Sequence, residues 1–413
     1  MQFGLFYEHQ IPRPWKEGEE HKLFKDALEQ VEVADRIGIE YVWEVEHHFL
    51  EEYSHSSAPE VFLAACSQRS KNIRLGHGIV LMPPGYNHPA RVAERIATLD
   101  LISDGRVEWG IGESASRTEL EGFNIPPGEK KDKWSETVRE TAKMIASSPY
   151  PGYNGKYFSM PERNIVPKPL QKPHPPLWVA CSNRESIRHA AKNGIGALTF
   201  AFIEPEEAKY WVEEYYTTFE KECEPIGQAV NPNVAMVAGF MCDENEDKAI
   251  SQGLEGFQFF GYALSHFYKH GIHIPGEFDI WADFQKNKPE RNNKRGCIGT
   301  PDQIRAHLES MEEIGVDQVI FLQQAGNNKH EHICESLECF AKNVLPDFKK
   351  RHETYSIEKA ERLGQAIEKA LTKIPAIDKP SKTPVEAYPL SRPPGKNSKE
   401  DLDIVKSLSG EKA

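Results

Sequence analysis

At 413 residues, with a formal charge of −13 and 39% hydrophobic residues, the chain is long enough for one large α/β domain plus an appendage, or for two smaller domains. The acidic balance, with no long basic block outside the C-terminal tail, argues against nucleic acid or anionic membranes as main partners. Seven scattered cysteines contain no C-x-x-C pair, no apolar run reaches membrane-spanning length, and the first residues read as a strand rather than a leader, so a reducing cytoplasm is the expected location.

Residues 2–7 (QFGLFY) form a short strand, and 20–37 have helical spacing closed by Gly38. A second strand over 39–45 runs directly into Glu46-His47-His48-Phe49. Then come a helix over 59–70, a β-rich run over 73–81 (IRLGHGIVL) and a helix over 89–103 with Val92, Ile96, Leu99 and Ile102 at helical spacing. Asp104-Gly105 ends that helix, 106–111 is a fourth strand, and 134–146 a helix. Residues 150–176 are rich in Pro and Gly and read as an excursion, with a hairpin, before a strand over 177–180. A helix starts at 186–192, followed by a strand over 194–199, a helix over 205–222 and a strand over 233–242. From 256 to 296 the pattern breaks into an aromatic segment read as helix plus mobile loop. Thr300-Pro301-Asp302-Gln303 is a helix start with Thr at the N-cap, Pro at N1 and Gln at N3. A strand over 316–322 and a helix over 330–343 close the repeat.

Eight strands alternating with helices predict a (β/α)₈ barrel with insertions over 1–348, a C-terminal helix over 349–374 and a disordered tail over 375–413. A doubly wound sheet is the alternative, but Gly110-x-Gly112 has no third glycine in register for a dinucleotide fingerprint. In a parallel barrel the C-terminal strand ends carry the chemistry, which places His47 and His48 among the candidate catalytic groups. A single histidine there is more often a structural one bonded to a carbonyl; for this pair, one member is expected to be functional. Gly76-His77-Gly78 offers close backbone approach for a planar ligand, or marks only a bulge. Ser182 to Ser186 runs from a strand into a helix start, where free N–H groups and hydroxyls suit a phosphate, or where Ser182 is an ordinary N-cap.

In its ordered set of motifs the chain resembles the bacterial luciferase-like, flavin-dependent monooxygenases over roughly residues 1–348. The motifs are FGLF at 3–6, VWEVEHHF at 42–49, the stretch from Gly76 through His88-Pro89, LDLISDGRVEWGIG at 99–112, VACS at 179–182 and GVDQVIF at 315–321. The resemblance implies a TIM barrel in which His47 is the catalytic polar or acid–base group. It implies reduced FMN and O₂ as reactants, a flavin C4a-(hydro)peroxide that oxygenates a small organic substrate, and a separate NAD(P)H-dependent flavin reductase as transient partner. His77-Gly78 would form a non-proline cis peptide against the isoalloxazine, and Ser182 with the backbone of Glu185 and Ser186 would cradle the phosphate. Two residues depart from the family pattern. Cys181 stands where luciferase is acidic, and Glu113 where many relatives carry a phosphate-contacting arginine, a role Arg117 or Arg184 would take. Phe6, Tyr7, Trp109 and Phe202, at strand ends, are expected either to line the substrate pocket or to fill the barrel core, and 271–293 to act as a lid.

Three other readings compete: a deazaflavin-dependent dehydrogenase on the same fold, a metal-dependent barrel hydrolase, and a non-catalytic partner subunit. E-H-H-F and the missing extended basic groove weigh against the first. No H-x-H on a strand supports the second, so no metal is expected. His47 itself weighs against the third. The small-residue faces of 59–70 and 89–103 resemble those through which the family pairs, which implies a homodimer.

Overall fold

The computed structural model describes residues 1–200, 202–288, 296–385 and 387. Eight parallel strands close on one another as the barrel: β1 (Gln2–Tyr7), β2 (Tyr41–Glu44), β3 (Arg74–His77), β5 (Val107–Gly112), β8 (Leu177–Cys181), β9 (Gly196–Thr199), β10 (Val234–Cys242) and β12 (Gln318–Gln324). The ring is shut by β10 pairing with β9 on one side and with β12 on the other, and by β12 pairing with β1. The remaining strands are accessory. β4 (Val80–Leu81) extends β5, β6 (Tyr153–Asn154) and β7 (Ser159–Met160) form the expected hairpin, and β11 (Cys297–Gly299) pairs with the end of β10.

The helices around the ring are α1 (Glu19–Ile37), α2 (Pro59–Arg69), α3 (Pro89–Ile102), α4 (Arg117–Gly122), α5 (Lys130–Ala146), α6 (Arg184–Lys192) and α7 (Pro205–Glu222). They continue with α8 (Glu246–Ser265), α9 (Ile280–Lys286), α10 (Pro301–Glu313), α11 (His330–Asn343) and α12 (Leu345–Leu371). The expected start of α10 is present in full: Thr300 and Gln303 form a capping box, which satisfies two of the helix's free N–H groups. The C-terminal helix starts four residues earlier and ends three earlier than the sequence suggests, and follows α11 after one residue. Its Lys359 and Tyr355 both bond Asp317, just before β12, which fastens the helix across the base of the barrel. The chain forms two units, Met1–Asp378 and Lys379–Ala413; residue 386 and those from 388 onward, most of the expected tail, lie outside the described residues. Among the described residues no helix is long and apolar enough to cross a membrane.

Side chains alternate across each strand, and two apolar clusters result. Phe3, Leu5, Tyr7, Val107, Trp109 and Ile111 face the helices, while Phe6, Tyr41, Trp43, Trp178, Leu198, Ile320 and Leu322 fill the barrel. Trp43 and Trp178 meet edge-on at 5.4 Å in the interior, their indole N–H groups donating to Gln318 (2.9 Å) and Glu108 (2.6 Å). That plug explains Gly76. A Cβ there would lie 2.2 Å from Trp43 Cε3, so the glycine makes room for a tryptophan of the same barrel.

Candidate active site

Past the end of β1 stands Glu8, and past the end of β2 stands His47. The His47 backbone N–H donates to the Ser56 carbonyl at 2.8 Å, which fixes the turn that presents its ring. Glu119, fully buried on α4, reaches across from the loop after β5: its Oε1 is 3.0 Å from His47 Nδ1 and accepts the His48 backbone N–H at 3.0 Å. On the other side, Glu8 Oε2 lies 3.6 Å from His47 Nε2. Tyr53 O–H donates to Glu8 Oε1 at 2.9 Å, and Tyr268 O–H lies 3.4 Å from His47 Nδ1. The imidazole is therefore held between two carboxylates, with its side chain 15% exposed at the mouth.

The electrostatics follow from that geometry. Burial opposes a charge on His47, but Glu8 and Glu119 outweigh it and push its pKa up to about 9. Burial raises Glu8 to about 7 against the pull of His47, Tyr53 and Ser54. Glu119 is also penalised by burial, yet His47, Ser114 and the His48 N–H hold it below the usual carboxylate range. At neutral pH His47 is thus an imidazolium between one ionised carboxylate and one near its midpoint, an arrangement that can hold and deliver a proton.

His48 does different work. Its Nε2 meets Glu46 at 3.3 Å and its ring packs edge-on against Phe123 at 4.9 Å. Glu46 is already committed to the Leu81 N–H and the Asn87 amide. His48 is the structural member of the pair.

The strand after α2 departs from expectation. His77–Gly78 is trans; the cis peptides among the described residues precede Pro14, Pro149, Pro167 and Pro173. The Gly78 N–H donates to the Glu44 carbonyl at 2.7 Å, a ladder bond that the trans amide serves, and a non-proline cis bond would cost about 3–4 kcal/mol. The His77 side chain is buried within reach of Glu60 on α2 and Arg95 on α3, and burial pushes its pKa down to about 4. Its imidazole is neutral and outside the mouth; Gly78 lies against Trp43 and Phe6 of the interior.

At the start of α6 the N-cap is Asn183, not Ser182. Ser186 Oγ accepts the N–H groups of Ser182 and Asn183, both at 3.1 Å, and its own N–H donates to Asn183. Arg184 is tied to Glu214 at 2.6 Å and Arg117 to Glu121 at 2.5 Å. Two lysines that the sequence did not single out lie beside Glu185 and Glu113. Lys131 lies 3.5 Å from Glu185, and Lys130 donates to the Ser114 carbonyl at 2.6 Å and lies 3.5 Å from Glu113, offsetting that carboxylate. The N–H groups of Arg184 and Glu185 in the first turn, the Ser182 hydroxyl and these lysines fit a phosphate. Cys181 is buried, its thiol pushed up to about 12, and supplies no charge.

Of the aromatic candidates, Phe6 belongs to the interior cluster, 5.3 Å from Phe200. Phe202, in the left-handed region with φ 50°, packs against Phe257 and Phe260 at 5.5 and 5.3 Å. Tyr7 and Trp109 lie on the helix side; Tyr7 O–H donates to Gln30 at 3.0 Å, and Trp109 meets His174. The expected lid is pinned where it is described: Gly276 N–H donates to Glu51 and Ile280 N–H to buried Glu52, at 2.8 and 2.6 Å, while 289–293 lie outside the described residues. Glu8, Tyr53, Glu119 and Tyr268 went unnoticed in the sequence. Only Glu8 carried a signal there, its place immediately after β1.

The chain is similar over most of its length to known monooxygenases and to an F420-dependent dehydrogenase. Flavin-dependent trigonelline monooxygenase, oxygenase component, of Acinetobacter baylyi is 29% identical over 374 residues, covering 86% of this chain and 99% of that protein. F420-dependent glucose-6-phosphate dehydrogenase of Amycolatopsis mediterranei is 23% identical, covering 78% of this chain and 94% of that one. Among solved structures, monooxygenase RslO1 from Streptomyces bottropensis superimposes with a TM-score of 0.69 at 26% identity, covering 84% of this chain and 100% of that one. The oxygenating constituent of 3,6-diketocamphane monooxygenase from Pseudomonas putida, in complex with FMN, gives 0.64 at 21% identity, covering 84% and 98%, and shares the fold. The family model for luciferase-like monooxygenases matches residues 1–318, a span that contains seven of the eight barrel strands together with Glu8, His47 and Glu119. The chain belongs to the luciferase-like monooxygenase family.

Proposed function

We propose that the protein is the oxygenase component of a two-component system, using FMN reduced by a separate flavin reductase and O₂ to place one oxygen atom in a small organic substrate, the second leaving as water. The observation that carries this reading is the His47 ring held between Glu8 and Glu119, at 3.6 and 3.0 Å, at the C-terminal mouth of the barrel. Reduced FMN, when bound, supplies the two electrons that activate O₂. His47 holds a proton at Nε2 beside Glu8, Glu119 fixes the ring through Nδ1, and Glu8 sets how readily that proton is given up. Phe6, Gly78 and Phe200 form an apolar wall that excludes water. The first turn of α6, with Ser182, Glu185 and Ser186, Lys130 and Lys131 would hold the phosphate; Ser186 Oγ would first release the two N–H groups it now accepts. Full-length similarity to an oxygenase component supports the need for a partner reductase.

A homodimer through α2 and α3 is part of this reading. Val61, Leu101 and Ile102 on those helices are 67%, 37% and 44% exposed, apolar surface that a second copy would cover. Similarity to a deazaflavin enzyme makes F420 the competing cofactor. Anaerobic titration of the chain with reduced FMN and, separately, reduced F420 decides between them, read by tryptophan fluorescence. Saturable binding of reduced FMN with weaker or absent binding of F420 is expected; the reverse order would overturn the proposal.

A further inference from the structure

A cavity of about 300 Å³ lies outside the barrel wall at β10, three strands from the strand that carries His47. That volume is at the lower end of small-molecule sites, about 300–1,000 Å³. It exists because the chain leaves the β/α rhythm after β10. β11 pairs only with Phe240–Cys242, and the middle of β10, from Met236 to Gly239, walls the cavity. Met236 and Ala238 face the helices there, with Val319 beside Met236 on β12 and Met311 opposite on α10.

The apolar lining includes three polar residues, Glu204, Gln258 and His307, of which His307 feels the charge of Glu204. Among the described residues none of these three side chains has a hydrogen bond or ion pair; Glu204 contributes only its carbonyl, to the first N–H groups of α7. Burial holds the His307 imidazole below its ordinary value, against the pull of Glu204, so His307 is neutral at pH 7. Among the described residues of the lining, Glu204 carries the one carboxylate and there is no lysine or arginine. An apolar chamber whose carboxylate has no counter-ion among the described residues suits a molecule with a hydrocarbon body and a cationic, hydrogen-bond-donating head. A carboxylate or phosphate ligand would meet repulsion there.

We propose that this cavity is a second ligand site, taking an apolar molecule whose protonated amine pairs with Glu204. The site is distinct from the mouth that holds His47. A layer of rings stands between them: Phe202 and Phe260 at 5.3 Å, then Phe260 and Tyr53 at 5.4 Å, with Tyr53 bonded to Glu8. The inference does not depend on which flavin the mouth takes.

Isothermal titration of the full chain with n-octylamine at pH 7, and with 1-octanol and octanoate as comparisons, tests it. Octylammonium is expected to bind one to one and octanoate more weakly than octanol. Glu204→Gln should weaken octylammonium by about tenfold, the scale of a lost charge-assisted hydrogen bond, and leave octanol unchanged. Ala238→Phe, which fills the chamber, should abolish both. Absence of octylammonium binding, an unchanged affinity in Glu204→Gln, or equal binding by a folded Ala238→Phe chain would each overturn the proposal. Glu204→Gln keeps the backbone contact to α7 and the side-chain size, so the test survives if Ala238→Phe fails to fold.

Discussion

Glu119→Gln removes one negative charge at 3.0 Å from His47 Nδ1 while keeping an oxygen to accept the His48 N–H and most of the buried volume. Two unit charges about 4 Å apart at an effective dielectric of about 20 interact by about 4 kcal/mol, an upper limit of about three pKa units. Glu8 remains on the other side at 3.6 Å, and the loss of one carboxylate near a charged group moves a pKa by about 1–3 units in practice. His47, pushed up to about 9 in the native chain, should therefore fall by about 1–2 units. The assay is an NMR titration of the histidine ring resonances in the native chain, Glu119→Gln and His47→Ala, the last identifying the signal. The sign of the stability effect is fixed as well. A histidine with a raised folded pKa contributes stability that is fully present below about pH 6.5 and is lost as pH rises through about 9. Glu8, a carboxyl raised to about 7, contributes in the same sense, its share lost as pH rises from about 4.5 through about 7. The native chain should lose stability on the alkaline side more steeply than Glu119→Gln. A His47 midpoint near 6.5 in the native chain, or one unmoved by Glu119→Gln, would refute the reasoning.

Gly76→Ala drives a methyl to within 2.2 Å of the Trp43 ring and should destabilise the barrel by about 1–3 kcal/mol in denaturant unfolding; an unchanged midpoint contradicts the interior plug. Lys131→Ala and Lys130→Ala should each weaken FMN by about tenfold and leave riboflavin, which lacks the phosphate, unaffected; equal losses for both flavins would exclude phosphate recognition by these lysines. Val61→Asp, on the exposed face of α2, should shift sedimentation from dimer to monomer without changing the melting midpoint of the monomer, and a native chain that sediments as a monomer at micromolar concentration contradicts the pairing. His48→Ala should lower stability by about 1 kcal/mol through lost packing and the Glu46 contact while preserving the His47 titration.

The barrel was legible because its signals are local. Each strand is a short β-rich run, each helix an amphipathic repeat, and Gly38 with φ 91° and the Thr300 capping box mark ends that no distant contact has to supply. The start of α8 was missed although Asn245, Glu246 and Asp247 form an N-cap and an acidic first turn; the aromatic run from 256 drew the boundary later than it lies. Tyr7 illustrates a rule the sequence already contained. Adjacent strand residues face opposite sides, so Phe6 in the interior sends Tyr7 to the helices. Glu119 is different in kind. Its helix has six residues and no readable period, and its contact with His47 spans 72 positions, so only closure of the barrel brings the two together. The Arg184–Glu214 pair likewise depends on how two helices pack, whereas Arg117–Glu121 is an i,i+4 pair within α4.

The most direct test of the account is rapid mixing of the anaerobic complex of the chain and reduced FMN with oxygenated buffer, in the native protein and in His47→Ala, followed by flavin absorbance. The account predicts that the native complex reoxidises in two phases through a transient distinct from reduced and oxidised flavin, and that the transient is shortened or lost in His47→Ala. Reoxidation in a single phase at the rate of free flavin, identical in both proteins, would contradict it.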